Sequence, residues 1–282
     1  MLIKRNTFIA ILTALTLILT STIAVLARES TGTPLPIVMY HHLSNNPKSL
    51  GDYVISVSQL ENDLKYLREN GYETVSTDQL IKAKEGKEKL PKKPCMITFD
   101  DGFESTYAYA LPLLKKYKMR AVVSIMGKET QKYSDLSDHN LAYSYMNWDC
   151  VKAADKSGIL EVQCHTNAMH ELWPRRGCSR NYGESREQYE SALKADIEAF
   201  QDKFKSVTGH ATTALALPFG SYSGDTIEIM HSFGFKVIFT CTQKVNHLKG
   251  DENELLELGR FNRPSGLGSA QFFERFQEHT QK

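Results

Sequence analysis

The chain has 282 residues, 41% of them hydrophobic, which is enough to bury one sizeable core. Its 34 basic and 33 acidic side chains leave a formal net charge of only +1 at pH 7. This balance argues against a nucleic-acid-binding protein, because such proteins present an electropositive surface to the phosphate backbone.

The N-terminus predicts export from the cytoplasm. Lys4 and Arg5 precede an apolar stretch, residues 8–27, that is interrupted only by threonine and serine. A basic start followed by an apolar run is typical of a signal peptide, and the run also approaches the roughly 20 residues that cross a bilayer. We therefore expect an extracellular or cell-envelope protein, either secreted or anchored on the outer face of the membrane. The expected segments are a signal peptide or N-terminal membrane anchor (1–27), a polar linker (28–35) and one folded domain (36–282).

After the linker, short apolar runs alternate with amphipathic stretches. Six runs have the length of buried strands: residues 37–40, 95–99, 121–125, 160–164, 215–217 and 236–239. Helices are predicted at residues 108–116, 148–156, 185–207 and 225–232, and after Ser56. There, Ser56 and Gln59 resemble a capping box, and an apolar face follows at Leu60, Leu64 and Leu67.

The alternation of strands and helices predicts an α/β fold with parallel strands and helical crossovers. About seven strands suit an irregular (β/α) barrel better than an open sheet. In such barrels the chemistry gathers at the C-terminal ends of the strands.

Two adjacent carboxylates, Asp100 and Asp101, directly follow the strand predicted at residues 95–99. Side chains alternate along a strand, so the two carboxylates point in different directions. One can bind a metal ion while the other faces a water molecule, and Gly102 lets the chain turn away sharply. A plain turn would also explain the pattern, because Asp and Gly favour turns.

His165 and His170 follow the strand predicted at residues 160–164. On a helix, a separation of five residues would place their rings about 140° apart, so a helical pair is excluded. A loop that curls after the strand can still bring both rings to one ion. Two histidines and a carboxylate, with open positions for water, are a known ligand set for catalytic zinc.

The five cysteines predict no zinc site of their own, because no two of them form a C-x-x-C pair. Export would permit a disulfide, and the odd count would leave at least one thiol free or intermolecular. Their pairing stays open at this point.

These motifs resemble the signatures of polysaccharide deacetylases with a NodB homology domain, carbohydrate esterase family 4. Residues 98–102, TFDDG, resemble the first signature. Residues 165–170 resemble the second, with a spacing similar to that of the poly-N-acetylglucosamine deacetylases. Residues 217–220 resemble the third, and residues 38–41 resemble the opening strand of the same branch. The resemblance covers roughly residues 36–264 and implies the NodB fold.

The resemblance also implies a role for each matching residue. The metal ligands would be Asp101, His165 and His170, holding a divalent ion, Zn2+ first, with Co2+, Ni2+ or Mn2+ as alternatives. Asp100 would be the general base, and the backbone N–H of Phe219 would help to hold the oxyanion. His41 would protonate the leaving amine. The alternative is that His41 is a buried histidine bonded to the backbone. His42 is the weaker candidate for the protonating role.

Four residues are candidates for contact with the sugar: Pro218, Gly220, Tyr222 and Trp173. An exposed tryptophan can stack on a sugar ring, and the arginines after Trp173 could meet an acidic polymer; a solvated basic loop is the alternative. The third motif departs from the family where Ala216 replaces the arginine that pairs with the catalytic base. Arg260 or Arg263 could fill that space.

The expected function is that of a metal-dependent hydrolase that removes N-acetyl groups from a cell-wall or extracellular polysaccharide of the N-acetylglucosamine type. The expected partner is such a polysaccharide, and no binding of nucleic acid is expected. One alternative is a catalytically weak carbohydrate-binding protein on the same fold, which Ala216 favours. Another is an esterase or amidase that acts on a different acylated substrate.

Overall fold

The structure is a computed structural model that describes residues 32–278. The signal peptide or anchor expected at residues 1–27 lies outside the described residues. None of the helices in residues 32–278 combines the length and the hydropathy of a membrane span.

The strands of the described chain are short. They are β1 (Thr33–Leu35), β2 (Ile37–Tyr40), β3 (His42–Ser44), β4 (Val54–Ser56), β5 (Glu73–Thr74), β6 (Pro94–Phe99), β7 (Ala121–Ile125), β8 (Leu160–Cys164), β9 (Ala214–Ala216), β10 (Val237–Phe239), β11 (Asn246–Leu248) and β12 (Phe261–Asn262).

The helices lie mainly between the strands. They are α1 (Val57–Glu69), α2 (Thr77–Lys84), α3 (Leu111–Tyr117), α4 (Gly127–Leu136), α5 (Trp148–Lys156), α6 (Arg186–Thr208), α7 (Thr226–Ser232) and α8 (Ser269–Glu278). A π-helical segment, Thr106–Ala110, leads directly into α3, and 3-10 turns occur at Pro47–Ser49 and Pro218–Gly220.

One parallel sheet organises the domain, with strand order β10-β9-β8-β7-β6-β2-β12. The short strand β5 adds to the first residues of β6, also in parallel. The sheet curls into part of a barrel, and a parallel bridge from Phe239 to Leu258 extends it beyond β10. The predicted α/β fold, an irregular barrel of about seven parallel strands, is confirmed.

The curled sheet is buried on both faces, which explains why its strands read as continuous apolar runs. All residues of β6 and β7 are buried. One face packs against the helices through side chains such as Val38, Ile97 and Phe99. The alternate residues, such as Ile37 and Met96, form a second cluster on the opposite face.

The domain begins before Pro36, which corrects the expected linker of residues 28–35. Thr33–Leu35 forms β1 and pairs antiparallel with Asn246–Leu248. The capping box expected at α1 is also only half formed. The Ser56 side chain accepts the N–H of Gln59, but the Gln59 amide donates instead to the carbonyls of Pro264 and Leu267.

Candidate active site

The candidate catalytic residues meet at the C-terminal end of the barrel. Asp100 and Asp101 follow the last residue of β6, and His165 follows the last residue of β8. Strand β7 lies between these two strands and pairs with both in parallel. Parallel strands end at one edge, so residues that are 64 positions or more apart in the chain become neighbours.

Asp101, His165 and His170 form a cluster that could hold a metal ion, with one ligand atom from each within 4.8 Å of the others. The Oδ1 atom of Asp101 lies 3.4 Å from Nε2 of His165 and 3.3 Å from Nε2 of His170. The Nδ1 of His165 lies 2.8 Å from the carbonyl oxygen of Ala216. A carbonyl can only accept, so Nδ1 carries a proton, and in the neutral imidazole Nε2 has a lone pair that faces the cluster.

The loop from His165 to His170 curls because several contacts hold its backbone. Thr166 has φ of 69°, in the left-handed region, which turns the chain directly after the strand. The carbonyls of Thr166 and Asn167 accept the N–H groups of Gly127 and Lys128 at the start of α4. On the other side, the Asp196 carboxylate accepts the N–H groups of Asn167 and Ala168 at 2.8 and 2.7 Å.

The turn after β6 is equally constrained. Asp101 has φ of 69° and Gly102 φ of 76°. A Cβ at position 102 would lie 2.8 Å from Cγ2 of Ile125, so both the conformation and the close approach require glycine. This turn sends the carboxylates of Asp100 and Asp101 to different partners, as the strand alternation predicts.

Asp100 is buried and forms a two-point ion pair with Arg260. Its Oδ1 and Oδ2 atoms accept Nη1 and Nη2 of Arg260, each at 2.7 Å. Burial alone would raise the pKa of Asp100, but the charge and hydrogen bonds of Arg260, with His165 and His41, hold it well below its ordinary value. Of the two arginines named as possible substitutes for the family's arginine at Ala216, Arg260 is the one that pairs with Asp100. Arg263 is paired with Asp63 instead.

His41 lies between β2 and β3, where the chain leaves the main sheet. Its ring packs edge-on against Tyr53, with centroids 4.8 Å apart, and its Nδ1 has no hydrogen-bond partner among the described residues. Burial lowers the pKa of His41, and the charges of Asp100 and Asp101 offset part of this effect. His42 turns to Oγ of Ser105, 3.0 Å from its Nδ1.

Phe219 lies in the turn that follows β9 and reaches the metal cluster. Its ring centroid lies 4.2 Å from that of His170, and its φ of 59° is left-handed. Pro218 is buried, and a Cβ on Gly220 would lie 2.7 Å from Cβ of Cys241. The third motif therefore brings a strained backbone turn against one of the candidate ligands.

The candidate sugar contacts differ in how far they are exposed. Trp173 follows His170 closely and is 83% exposed. Tyr222 is partly buried, and its hydroxyl donates to Glu257 at 3.0 Å. Arg175, one of the arginines that could meet an acidic polymer, donates to Glu184 and to the carbonyl of Ser179, so it holds its own loop together.

Comparison with known proteins gives the family of the chain. A model of the family described as polysaccharide deacetylase matches residues 87–238, more than half of the chain. The chain is 25% identical over 223 residues to poly-β-1,6-N-acetyl-D-glucosamine N-deacetylase of Escherichia coli K12, covering 72% of this chain and 33% of that protein. It is 26% identical over 200 residues to the protein of the same name from Staphylococcus aureus MRSA252, covering 71% and 65%. The chain thus spans a third of the length of the first relative and just under two thirds of the second.

Solved structures show the same fold. IcaB from Ammonifex degensii is 26% identical, with a TM-score of 0.70 over 88% of this chain and 98% of that one. A de-N-acetylase from Aggregatibacter actinomycetemcomitans has a TM-score of 0.73 at 22% identity, over 86% of this chain and 99% of that one.

Proposed function

The chain belongs to the polysaccharide deacetylase family, as its motifs predicted, and on this premise we propose that it removes N-acetyl groups from a β-1,6-linked N-acetylglucosamine polymer outside the cytoplasm. The names of its relatives from E. coli and S. aureus support this polymer. The observation that carries the proposal is the cluster of Asp101, His165 and His170 directly beside the ionised Asp100.

Asp101, His165 and His170 would hold a divalent metal ion, with zinc as the first candidate. Two imidazoles and one carboxylate fit such an ion and leave coordination positions for other ligands. When bound, the ion would polarise the acyl carbonyl and lower the pKa of water towards about 7. Ala216 would fix the proton of His165 on Nδ1, so that Nε2 stays available as a ligand.

Asp100 would act as the general base. Because Arg260 holds it ionised, its lone pairs are ready to accept a proton from the attacking water. The same ion pair makes a protonated Asp100 unfavourable. Asp100 would therefore release the proton to solvent and return to its ionised form, while His41 supplies the proton that the leaving amine takes up.

His41 and Phe219 would complete the reaction. The backbone N–H of Phe219 would donate to the oxygen on which negative charge develops, a contribution typically worth about 10²–10³ in rate. His41 would protonate the amine, which must leave as a neutral or cationic species. Its lowered pKa makes the protonated imidazole a stronger acid, although a smaller fraction is protonated at pH 7.

The alternative of a catalytically weak binding protein depended on Ala216. Arg260 supplies the cation beside Asp100 that the family places at that position, so the sequence reason for this alternative falls away. No contact among the described residues favours an esterase acting on an O-acetylated substrate.

Acetate release tests the proposal. The purified protein would be incubated with oligomers of β-1,6-N-acetylglucosamine, with chitin oligomers and with peptidoglycan, each with zinc or with a chelator. We expect release from the β-1,6 oligomer, its loss with chelator and its return with zinc. Release from chitin oligomers alone would correct the polymer, and no release from any of them would contradict the function. A reporter fused after Ala27 that stays active only in the cytoplasm would contradict the location.

A further inference from the structure

Asp196 lies on α6, far in sequence from every motif, yet it bonds to the loop between the two histidines. Its Oδ1 accepts the N–H of Asn167 and its Oδ2 accepts the N–H of Ala168. Both of its carboxylate oxygens are thus bonded to successive amides of the segment that must curl for His165 and His170 to converge.

The same segment is held from its other side by α4. The carbonyls of Thr166 and Asn167 accept the first N–H groups of that helix, from Gly127 and Lys128, at 3.1 and 2.8 Å. A Cβ on Gly127 would lie 2.4 Å from Oδ1 of Asn167, so the approach is as close as glycine allows. The loop is therefore clamped between an acceptor on α6 and donors on α4.

The position of Asp196 on its helix makes the acceptor rigid. Helix α6 runs for 23 residues, and its buried face includes Leu193, Ile197 and Phe200. Phe200, one turn after Asp196, packs near Gly127, so the same side of α6 faces the loop. A carboxylate on a long packed helix can hold two amides in a fixed place, which an exposed loop residue cannot.

We propose that Asp196 is a positioning residue for the metal site: it fixes the backbone of the His165–His170 loop so that both imidazoles reach one ion. This inference rests on the proposed metal-binding role of the two histidines. The hydrogen bonds of the Asp196 carboxylate go to the backbone amides of Asn167 and Ala168 and not to the candidate ligands, so we infer that it acts through the loop.

The test is zinc affinity, measured by titrating the metal-free protein in competition with a chromophoric chelator. Asp196→Asn keeps the size but puts an N–H donor against a backbone N–H, which breaks the clamp. We expect zinc affinity to fall at least about 10-fold, the usual effect of losing an outer-shell partner. Asp202→Asn, the same change at an exposed position of α6, should leave affinity unchanged. At saturating zinc, acetate release by Asp196→Asn should return to the parent value, because Asp196 does not touch the reacting atoms.

Unchanged zinc affinity in Asp196→Asn would overturn the proposal. Acetate release that stays low at saturating zinc would also overturn it, because it would indicate general damage to the protein. If that variant does not fold, amide exchange in the metal-free parent decides. Asn167 and Ala168 should already be protected there, whereas protection that appears only with zinc would mean that the ion orders the loop. His165→Ala tests the underlying assumption: zinc affinity that survives this change would contradict the metal site itself, not only the role of Asp196.

Discussion

Arg260 and Asp100 are 160 positions apart in the chain, and their side chains meet in a buried two-point ion pair with both contacts at 2.7 Å. Arg260 also donates from Nε to the carbonyl of Thr240 and from Nη1 to Oγ1 of Thr98. The guanidinium thus connects the segment after β10 to the end of β6. This pair joins the stability of the barrel to the protonation state of the candidate base.

Arg260→Gln should therefore destabilise the fold strongly. It leaves the Asp100 carboxylate buried without its cation, and breaking a buried pair costs about 3–5 kcal/mol. Urea denaturation at pH 7 would measure the loss in the free energy of unfolding. Arg186→Gln is the matched control. Its pair with Glu228 is exposed to solvent and contributes little to stability, so this change should barely affect that free energy. Equal effects of the two changes would contradict this account of the pair.

Arg260→Gln should also change how stability and activity depend on pH. The pKa of Asp100 is depressed in the folded state, so its stabilisation is present above the ordinary carboxyl pKa and is lost as pH falls. The unfolding free energy of the parent should therefore fall as the pH drops below about 4. Its excess over that of Arg260→Gln should shrink as the pH falls. The acid limb of kcat/KM should move to higher pH in Arg260→Gln, because a carboxylate without its cation is protonated more easily. If the acid limb of kcat/KM does not move, Asp100 is not the group whose titration limits activity.

Substituting each of the adjacent carboxylates should separate base from ligand. Asp100→Asn removes the lone pair that accepts a proton, so acetate release should fall about 10²-fold or more while zinc stays bound. Asp101→Asn should weaken zinc binding itself, and added zinc should partly restore its activity. Both assays should be run well below the melting temperature of the variants, because Asp100→Asn also leaves Arg260 without its partner. Rescue of Asp100→Asn by zinc would reverse the two roles.

A second buried pair, Asp63 with Arg263, should matter for stability but not for zinc. Asp63 accepts Nε and Nη2 of Arg263 and the hydroxyl of Tyr40, and both charged side chains are fully buried. Asp63→Ala should lower the free energy of unfolding by about 3–5 kcal/mol. Tyr40→Phe removes one of the three hydrogen bonds and should cost about 1 kcal/mol. Zinc affinity below the melting transition should be unaffected; a large loss would mean that this pair also shapes the site.

All five cysteines are free; Cys95, Cys164 and Cys178 are buried, and Cys150 and Cys241 are partly buried. Burial raises the pKa of the Cys95 thiol to about 12 and that of Cys150 to about 11, so little reactive thiolate forms at pH 8. A thiol reagent should therefore modify the native protein slowly and label five thiols after denaturation without reductant. Fewer than five labels would reveal a disulfide.

Local patterns predicted the strands well, because buried parallel strands are continuous apolar runs. The predicted bounds of β7, β8 and α5 match the structure, β9 lies one residue earlier than predicted, and β10 begins one residue later. Helices α2 and α4 were not predicted. Helix α8 was also missed, although the spacing of Phe272, Phe273 and Phe276 could have indicated an apolar face.

The site was predictable only where its residues stand next to one another in the sequence. Asp100, Asp101, His165 and His170 carry motifs with a recognisable spacing. Arg260 could be named only as one of two possibilities, since strand order, not sequence distance, brings it to Asp100. Asp196 gave no signal at all, because a polar residue on an amphipathic helix looks like any other solvated position.

Three non-glycine residues at the catalytic end have left-handed backbones: Asp101, Thr166 and Phe219. The other two in the described chain, Lys118 and Ser137, only end helices α3 and α4. Each such conformation costs on the order of 1 kcal/mol, which glycine would relieve. Selection for thermal stability would therefore favour the removal of these conformations, whereas selection for catalytic turnover would favour keeping them. A lineage under thermal selection alone would gain by drifting to glycine at positions 166 and 219, and it would lose the side chains that border the metal ligands.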